Sequence, residues 1–232
     1  VQSNYVRSAA AAAAKLGLSC HVQLENRVSD MPPPYHRSGN VLLNKLFGAS
    51  SSTFHIGEDE AAADANIADI AKDFAKKGKK PYLLTLSPDT KPLGALGYIR
   101  CAGEILDQLN NQKQSVEKIV VASGSAATHV GILLGLRLLG SEIPVHGICG
   151  RRDRNQQILR VEGIVRLAEH LIGCGKVVQG KDIKCHDDWL APGYGKTNGL
   201  VHEAMMLAGS LEGMIVDPVY TAKSLAGAIG LY

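Results

Sequence analysis

The sequence predicts an α/β fold with two lobes, and two features of the chain support this prediction. Short apolar runs typical of buried strands alternate with longer segments of helical periodicity, which is the pattern of parallel sheets covered by helices. A segment rich in proline and polar residues, at 87–92, interrupts the alternation and is the best candidate for a linker. We therefore expect a small lobe at residues 1–88 and a larger lobe at 89–232.

The first lobe is predicted to contain three helices and three strands. Ser3 or Asn4 caps the first helix, alanines at 9–14 favour it strongly, and Gly17 ends it. A later helix has acidic residues first and lysines last, the arrangement that the helix dipole favours. The other predicted elements are a strand at 19–24, a helix at 41–47, a strand at 53–56, this acidic-to-basic helix at 58–77 and a strand at 81–86.

The second lobe repeats the alternation of strands and helices. Its predicted strands lie at 118–123, 145–149 and 214–217, and its helices at 93–109, 130–139, 155–171, 201–211 and from 221 onward. A polar loop is predicted at 181–196. Within it, Cys185, His186, Asp187 and Asp188 are metal-ligand types, but four adjacent residues cannot all converge on one ion. We therefore predict no metal site.

Composition narrows the class of protein. The chain has 232 residues, is 45% hydrophobic and 20% charged, and carries a net charge of only +3, so no nucleic-acid or membrane surface is indicated. No apolar run reaches the roughly 20 residues of a membrane span. Five cysteines without a C-x-x-C pair favour a reducing compartment and roles as core residues. We expect a cytoplasmic protein, with an organelle as the alternative.

The most informative segment follows the strand at 118–123. Gly124, Ser125, Ala126, Ala127 and Thr128 form a small-residue turn that leads into a helix. Backbone N–H groups, two hydroxyls and a helix N-terminus then surround one concavity, which is an arrangement that binds phosphate. The turn lacks the spacing of dinucleotide and ATP loops. The alternative interpretation is an ordinary strand-to-helix connection with a capping hydroxyl, and we expect the following His129 to pack in the core.

Three further segments hold candidate site residues. Gln2, Ser3 and Asn4 lie at a helix start, where Ser3 also fits a simple cap and Asn4 a surface residue. Tyr194 lies in a glycine-flanked loop, which indicates close approach of the backbone to another group. The segment 217–221 ends a predicted strand, and ligands of parallel sheets lie at such ends.

In chain order these segments resemble one family. The motifs are Gln-Ser-Asn at 2–4, Leu-Gly-Ala-Leu-Gly-Tyr at 93–98, Ser-Gly-Ser at 123–125 with Thr-His at 128–129, Ala-Pro-Gly-Tyr-Gly at 191–195, and Asp-Pro-Val-Tyr-Thr at 217–221. The chain is similar along its length to the D-cysteine desulfhydrase and 1-aminocyclopropane-1-carboxylate deaminase family of pyridoxal-phosphate enzymes. This resemblance implies the tryptophan-synthase-β-like fold (PLP fold type II), with the cofactor between two lobes.

The resemblance also implies roles for individual residues. Residues 124–128 would hold the cofactor phosphate, and Asn4 would contact the 3′-oxygen of the pyridine ring. Ser3 would transfer a proton at the substrate carbon. Tyr194 and Tyr220 would line the substrate pocket, with Tyr220 nearer the reacting groups.

The implied reaction is β-elimination of D-cysteine to pyruvate, ammonia and hydrogen sulfide. Thr221 stands where cyclopropane-opening members of the family have Glu, and a carboxylate there would repel a departing thiolate. We therefore expect Thr221, together with Gln2, to select D-cysteine; deamination of 1-aminocyclopropane-1-carboxylate is the alternative. The resemblance further implies a small amino-acid substrate and a homodimer.

Three departures from the family pattern accompany the resemblance. Ala127 replaces a second glycine of the phosphate turn. The family's Schiff-base lysine lies upstream of the Gln-Ser-Asn motif, and its C-terminal glycine-rich strand end lies beyond Tyr232, so we expect a chain truncated at both ends. The alternative is a pseudoenzyme that keeps the phosphate turn without covalent catalysis.

Residues 1–232 expressed alone are expected to release no hydrogen sulfide from D-cysteine, because no lysine of this chain matches the one that holds the cofactor. The same sample is expected to lack the absorption band of a lysine-bound cofactor. Sulfide release well above the background of free pyridoxal phosphate would contradict this expectation.

Overall fold

A computed structural model of the protein describes residues 1–28, 31–54, 60–85 and 90–232. The chain divides into two compact units, Val1–Ser87 and Pro88–Tyr232. Parts of four predicted segments lie outside the described residues. These are 87–89 of the linker, 55–56 of the strand predicted at 53–56, 58–59 of the helix predicted at 58–77, and 86 of the strand predicted at 81–86.

The described residues of the first unit form a two-stranded parallel sheet and three α-helices. The Ser3 side chain accepts a hydrogen bond from the Val6 N–H at 3.2 Å and so caps the first helix, as predicted. Small buried residues such as Ala10 let this helix lie close to the sheet residues Val22 and Leu24. The elements are α1 (Asn4–Lys15), β1 (His21–Glu25), a 3₁₀ turn (Pro33–His36), α2 (Asn40–Leu46), β2 (Ser50–Phe54) and α3 (Glu60–Lys76).

In the second unit, residues 90–232 form a three-stranded parallel sheet of order β3-β4-β5 and five α-helices. Ile119 is opposite Val145, and Gly147 is opposite Cys185. The elements are α4 (Leu93–Asn111), β3 (Ile119–Ser123), α5 (Ala127–Leu138), β4 (Val145–Cys149), α6 (Arg154–Ile172), a 3₁₀ turn (Gly180–Asp182), β5 (Lys184–His186), α7 (Gly199–Glu212) and α8 (Thr221–Gly230).

Both faces of this sheet are covered, as expected for parallel strands. Cys149 and Cys185 belong to a core cluster with Leu133 of α5 and Val165 of α6. Ile148 belongs to a second cluster, with residues of α7 and α8. Each fully buried aliphatic side chain contributes about 2 kcal/mol, so these clusters fix the positions of the helices at the strand ends.

Helices α4 and α5 approach each other unusually closely. A Cβ added at Gly131 would lie 2.4 Å from the Tyr98 Cβ, and one added at Gly135 would lie 2.6 Å from the Ile99 carbonyl oxygen. Only glycine therefore fits at these two positions of α5. The contact fixes α5 along its length, and with it the turn from which α5 begins.

Three predictions about secondary structure are wrong. Residues 81–85 and 214–217 form no strand, and the polar loop predicted at 181–196 contains strand β5. In the first two cases an apolar composition was not sufficient to form a strand, because a strand also needs a neighbouring strand with which to form hydrogen bonds. Leu84 and Ile215 in these segments are exposed. Strand β5 is too short for an alternating pattern, and Cys185 is its one fully buried side chain.

Two histidines face each other on adjacent strands of this sheet. The His146 Nδ1 lies 2.9 Å from the His186 Nε2, and the rings stack with centroids 5.0 Å apart. Burial, the neighbouring His186 and the nearby Lys184 lower the pKa of His146 from 6.5 to about 4. Burial likewise lowers the pKa of His186. Both pKa shifts mean that the folded chain favours the neutral forms of the two rings.

The second unit is expected to lose stability as the pH falls from 6.5 towards 4. In this range the unfolded chain binds a proton at residue 146 that the folded chain does not, so protonation favours unfolding. We expect a loss of about 1 kcal/mol, allowing for solvent screening of half-buried rings. Urea unfolding at pH 7.5 and pH 4.5 measures it.

His146→Gln should reduce this pH dependence. His170→Gln, which alters an exposed histidine on α6, is the matched control and should leave it unchanged. An identical pH dependence in the wild type and in His146→Gln would contradict the assignment.

Candidate functional site

Residues 124–128 connect the end of β3 to the start of α5 and present a helix N-terminus. Ala126 has a left-handed backbone (φ 78°), and no side chain caps α5. Within the described part of the chain, the N–H groups of Ala127 and Thr128 have no hydrogen-bond acceptor. Unpaired donors at the positive end of a helix bind anions, so this turn fits a phosphate group.

Side chains beyond β4 bind the carbonyl groups of this turn. Gln157 Nε2 donates to the Gly124 carbonyl at 3.2 Å, as does Arg152 Nη1 at 3.2 Å, and Arg160 Nε donates to the Ser125 carbonyl at 3.2 Å. The carbonyl oxygens are thereby occupied by donors, and two guanidinium groups add positive charge near the turn. Both effects favour the binding of an anion at residues 124–128.

Sequence reasoning missed these supporting residues. Arg152, Gln157 and Arg160 lie about 30 positions after the turn, at distances set by the fold rather than by a motif. A weak signal was present in the paired arginines 151 and 152, which follow strand β4 after one glycine and so lie near the sheet edge where ligands bind.

His129 packs beneath the turn, as predicted. It is fully buried, and its Nδ1 lies 3.1 Å from the Ser123 Oγ, which also accepts from Gln157 Nε2 at 2.9 Å. A Cβ at Gly147 would meet the His129 ring at 2.4 Å. The ring therefore fits only against a glycine of β4, and it fixes the first turn of α5 against the sheet.

The ring of Tyr220 lies over two glycines at the ends of neighbouring strands. A Cβ added at Gly124 would lie 3.3 Å from its Cε1, and one added at Gly150 would lie 3.2 Å from its Cδ1. The Tyr220 hydroxyl is 3.0 Å from the Tyr194 hydroxyl. The structure thus brings together Tyr194, Tyr220 and Gly124, which were predicted, and Gly150, which was not.

Thr221 has a structural partner. Its hydroxyl donates to the Asp217 Oδ2 at 2.6 Å, and the same carboxylate accepts from the N–H groups of Val219 and Tyr220. Asp217 therefore caps the start of α8, and Thr221 completes that cap. The role of Thr221 in substrate selection remains a prediction.

Gln2 also has structural partners, all within the first unit. Its Nε2 donates to the carbonyls of Tyr35 and Ser38 at 2.6 and 2.9 Å, and its Oε1 accepts from the Asn40 N–H at 2.8 Å. Both amide protons are thus used, so Gln2 holds the segment before α2 in place. Nothing in these contacts supports substrate selection by Gln2.

The neighbouring predicted residues keep some hydrogen-bonding capacity. The Asn4 Oδ1 accepts from Asn40 Nδ2 at 2.8 Å, and the Ser3 Oγ accepts from the Val6 N–H. Ser3 can still donate its hydroxyl proton, as a proton-transfer residue must. The simple interpretation of Ser3 as a helix cap is confirmed.

Metal-binding clusters and membrane-spanning helices are both absent from the part of the chain that the structure describes. No three His, Cys, Asp or Glu side chains there lie close enough together to hold a metal ion. None of its helices is long and apolar enough to cross a membrane.

Sequence comparisons show close relatives. A profile of the family described as "Pyridoxal-phosphate dependent enzyme" matches residues 1–231. The chain is 37% identical over 229 residues to a D-cysteine desulfhydrase of Salmonella paratyphi A, covering 99% of this chain and 67% of the relative. It is 38% identical, with the same coverage, to a D-cysteine desulfhydrase of Salmonella choleraesuis.

Solved structures agree with the sequence comparisons. The chain matches a structure titled as an ACC deaminase homologue with a TM-score of 0.82 and 30% identity, over 99% of this chain and 66% of that one. It also matches a serine racemase from Dictyostelium discoideum with a TM-score of 0.61 and 15% identity, over 97% of this chain and 67% of that one. The second likeness shows the fold alone. The chain spans about two thirds of the length of these relatives.

Replacing Ser125 and Thr128 together by Ala is expected to weaken retention of pyridoxal phosphate by about tenfold or more. Each hydroxyl can donate one hydrogen bond to a charged phosphate, and such bonds contribute about 1.5–3 kcal/mol. Equilibrium binding to the complete protein, followed by cofactor fluorescence, measures the change. Ser210→Ala removes an exposed hydroxyl of α7 and is the control; unchanged affinity in the double variant would refute the phosphate assignment.

Proposed function

Because the chain belongs to the family of pyridoxal-phosphate-dependent enzymes, we propose that the complete protein is a D-cysteine desulfhydrase. The reaction converts D-cysteine and water to pyruvate, ammonia and hydrogen sulfide. The observation that supports it best is the position of Tyr220, whose ring lies over Gly124 of the phosphate turn. A phenol beside the residues that would hold the cofactor phosphate is well placed to act on a substrate bound next to that cofactor.

The residues of the phosphate turn would bind and orient the cofactor. The N–H groups at the start of α5, with the hydroxyls of Ser125 and Thr128, would hold its phosphate. Arg152 and Arg160 would supply positive charge from outside the turn. When bound, pyridoxal phosphate withdraws electrons from the substrate α-carbon, which makes loss of the α-proton and of the β-sulfur possible.

The two tyrosines would act on the leaving group. The Tyr220 and Tyr194 hydroxyls lie 3.0 Å apart, so one donates a hydrogen bond to the other, and the accepting hydroxyl keeps its own proton free. The hydroxyl that accepts this hydrogen bond can give its own proton to a sulfur that leaves as thiolate. The hydroxyl that donates it then stabilises the negative charge left on the first tyrosine. We assign Ser3 the transfer of the α-proton and Asn4 a hydrogen bond to the cofactor.

The chemistry at residue 221 favours D-cysteine over 1-aminocyclopropane-1-carboxylate. Thr221 is uncharged, so a departing thiolate meets no repulsion from it. A glutamate, which the cyclopropane-opening relatives have here, would add a negative charge beside that of Asp217, whose carboxylate lies 2.6 Å from the Thr221 hydroxyl.

We further propose a homodimer of the complete protein in the cytoplasm. All five cysteines are free, which supports a reducing compartment. The dimer is supported only by the family resemblance, and sedimentation of the complete protein tests it.

The complete protein, loaded with pyridoxal phosphate, is expected to turn over D-cysteine at least about tenfold faster than 1-aminocyclopropane-1-carboxylate, since Thr221 offers no carboxylate to act on the ring. Sulfide release and keto-acid formation measure the two reactions. A faster reaction with the cyclopropane substrate would contradict the proposal, and absence of both reactions would support the pseudoenzyme alternative.

Thr221→Glu is expected to lower both D-cysteine turnover and stability. The new carboxylate repels Asp217 and the hydrogen bond to it is lost, at a cost of about 1.5–3 kcal/mol, whereas the helix dipole returns only about 0.3–1 kcal/mol. Thr221→Val removes the same hydrogen bond without adding charge and is the matched control. Equal kcat/KM for D-cysteine in the two variants would show that charge at residue 221 does not matter.

A further inference from the structure

Lys223 is a fully buried lysine to which the proposed reaction assigns no role. It lies in the first turn of α8, three residues after Tyr220, and only 1% of its surface is exposed. Its Nζ donates hydrogen bonds to the carbonyl oxygens of Leu190 and Gly193 at 3.1 and 3.0 Å. Both acceptors belong to the segment 190–195, which carries Tyr194 and which we call the tyrosine loop.

Burial of this lysine is energetically unfavourable for folding. Burial lowers the pKa of Lys223, and among the described residues no carboxylate pairs with it. Two carbonyl oxygens compensate only part of the cost of removing an ammonium group from water. An apolar residue of similar length would make α8 as stable or more stable, so stability alone does not account for a lysine here.

The tyrosine loop has few other attachments. Ala191 and Pro192 are exposed, so the loop buries little apolar surface. Gly193 and Gly195 have positive φ angles of 146° and 72°, and because glycine has no Cβ, the backbone at both positions has many alternative conformations that hydrogen bonds must exclude. Apart from hydrogen bonds within 187–196, two described side chains donate to carbonyl oxygens of the loop. One is Lys223, and the other is Asn198, whose Nδ2 donates to the Ala191 carbonyl at 2.7 Å.

We infer that Lys223 is a positioning residue that fixes the tyrosine loop to helix α8 and thereby holds the Tyr194 hydroxyl against that of Tyr220. The geometry is direct: Tyr220 is the residue before α8, Lys223 follows it within one turn, and the loop carbonyls are bound to the lysine. Helix α8 thus carries one tyrosine and controls the place of the other. The importance of this contact for turnover rests on the proposed function; the loop attachment itself does not.

Amide hydrogen exchange of the complete protein without cofactor tests the attachment. In Lys223→Met we expect exchange of peptides covering 189–197 to be about tenfold faster or more, while peptides of β3 and β4 stay within about twofold of the wild type, because only the loop opens. Lys223→Arg keeps a cationic donor and should retain most of the protection. Lys118→Met, which removes the bond from Lys118 to the Leu231 carbonyl at the other end of α8, is the matched control.

Unchanged exchange of the loop in Lys223→Met, or equally faster exchange across both loop and sheet, would overturn the inference. If Lys223→Met does not fold, Lys223→Gln replaces it and must show at least about threefold faster loop exchange. This measurement needs no activity, so it stands even if D-cysteine proves not to be the substrate.

A double-mutant cycle in the cofactor-loaded enzyme tests the consequence for Tyr194. Lys223→Met should lower kcat for D-cysteine by about tenfold with a smaller change in KM, since it displaces a group that acts in the reaction step. In a Tyr194→Phe background the same substitution should change kcat by less than about twofold. An equal loss of kcat in both backgrounds would show that Lys223 does not act through Tyr194.

Discussion

Helix α5 is buried along two full turns, from His129 to Leu136, and the second unit depends on this burial. A helix covered on all sides cannot shift without breaking several contacts at once, so its N-terminus is held in one place. Gly131 and Gly135 let α4 approach closely from one side, and Gly147 admits the His129 ring from the sheet. The free N–H groups of the phosphate turn are therefore preorganised for an anion.

The same use of glycine recurs at the strand ends. Gly124 and Gly150 leave a flat surface on which the Tyr220 ring lies, and the tyrosine hydroxyl reaches Tyr194. Phosphate binding and the tyrosine pair are thereby joined within one unit of the fold. A reaction that needs a fixed cofactor and a proton donor beside it benefits from this rigidity, because little rearrangement is needed as the bonds change.

The elements with clear local signals were predictable from sequence, and those set by distant partners were not. Strand β4 was predicted at its observed bounds, and α5 with its phosphate turn followed from an apolar run, small residues and helix-forming residues. Apolar segments at 81–85 and 214–217 carried the same local signal but had no strand to pair with. The hydrogen bonds of Gln157 and Lys223 to loop carbonyls could not be predicted from the sequence. Partners that lie far apart in the chain leave no characteristic spacing between residues.

The cap formed by Asp217 and Thr221 makes two positions of this chain epistatic. The Asp217 carboxylate accepts four hydrogen bonds at the start of α8, from the N–H groups of residues 219, 220 and 221 and from the Thr221 hydroxyl, and it thereby constrains the identity of residue 221. A second acid at residue 221 would therefore weaken the start of the helix while Asp217 remains. Substitutions at the two positions are expected to be non-additive, since each one changes the hydrogen-bond partner of the other.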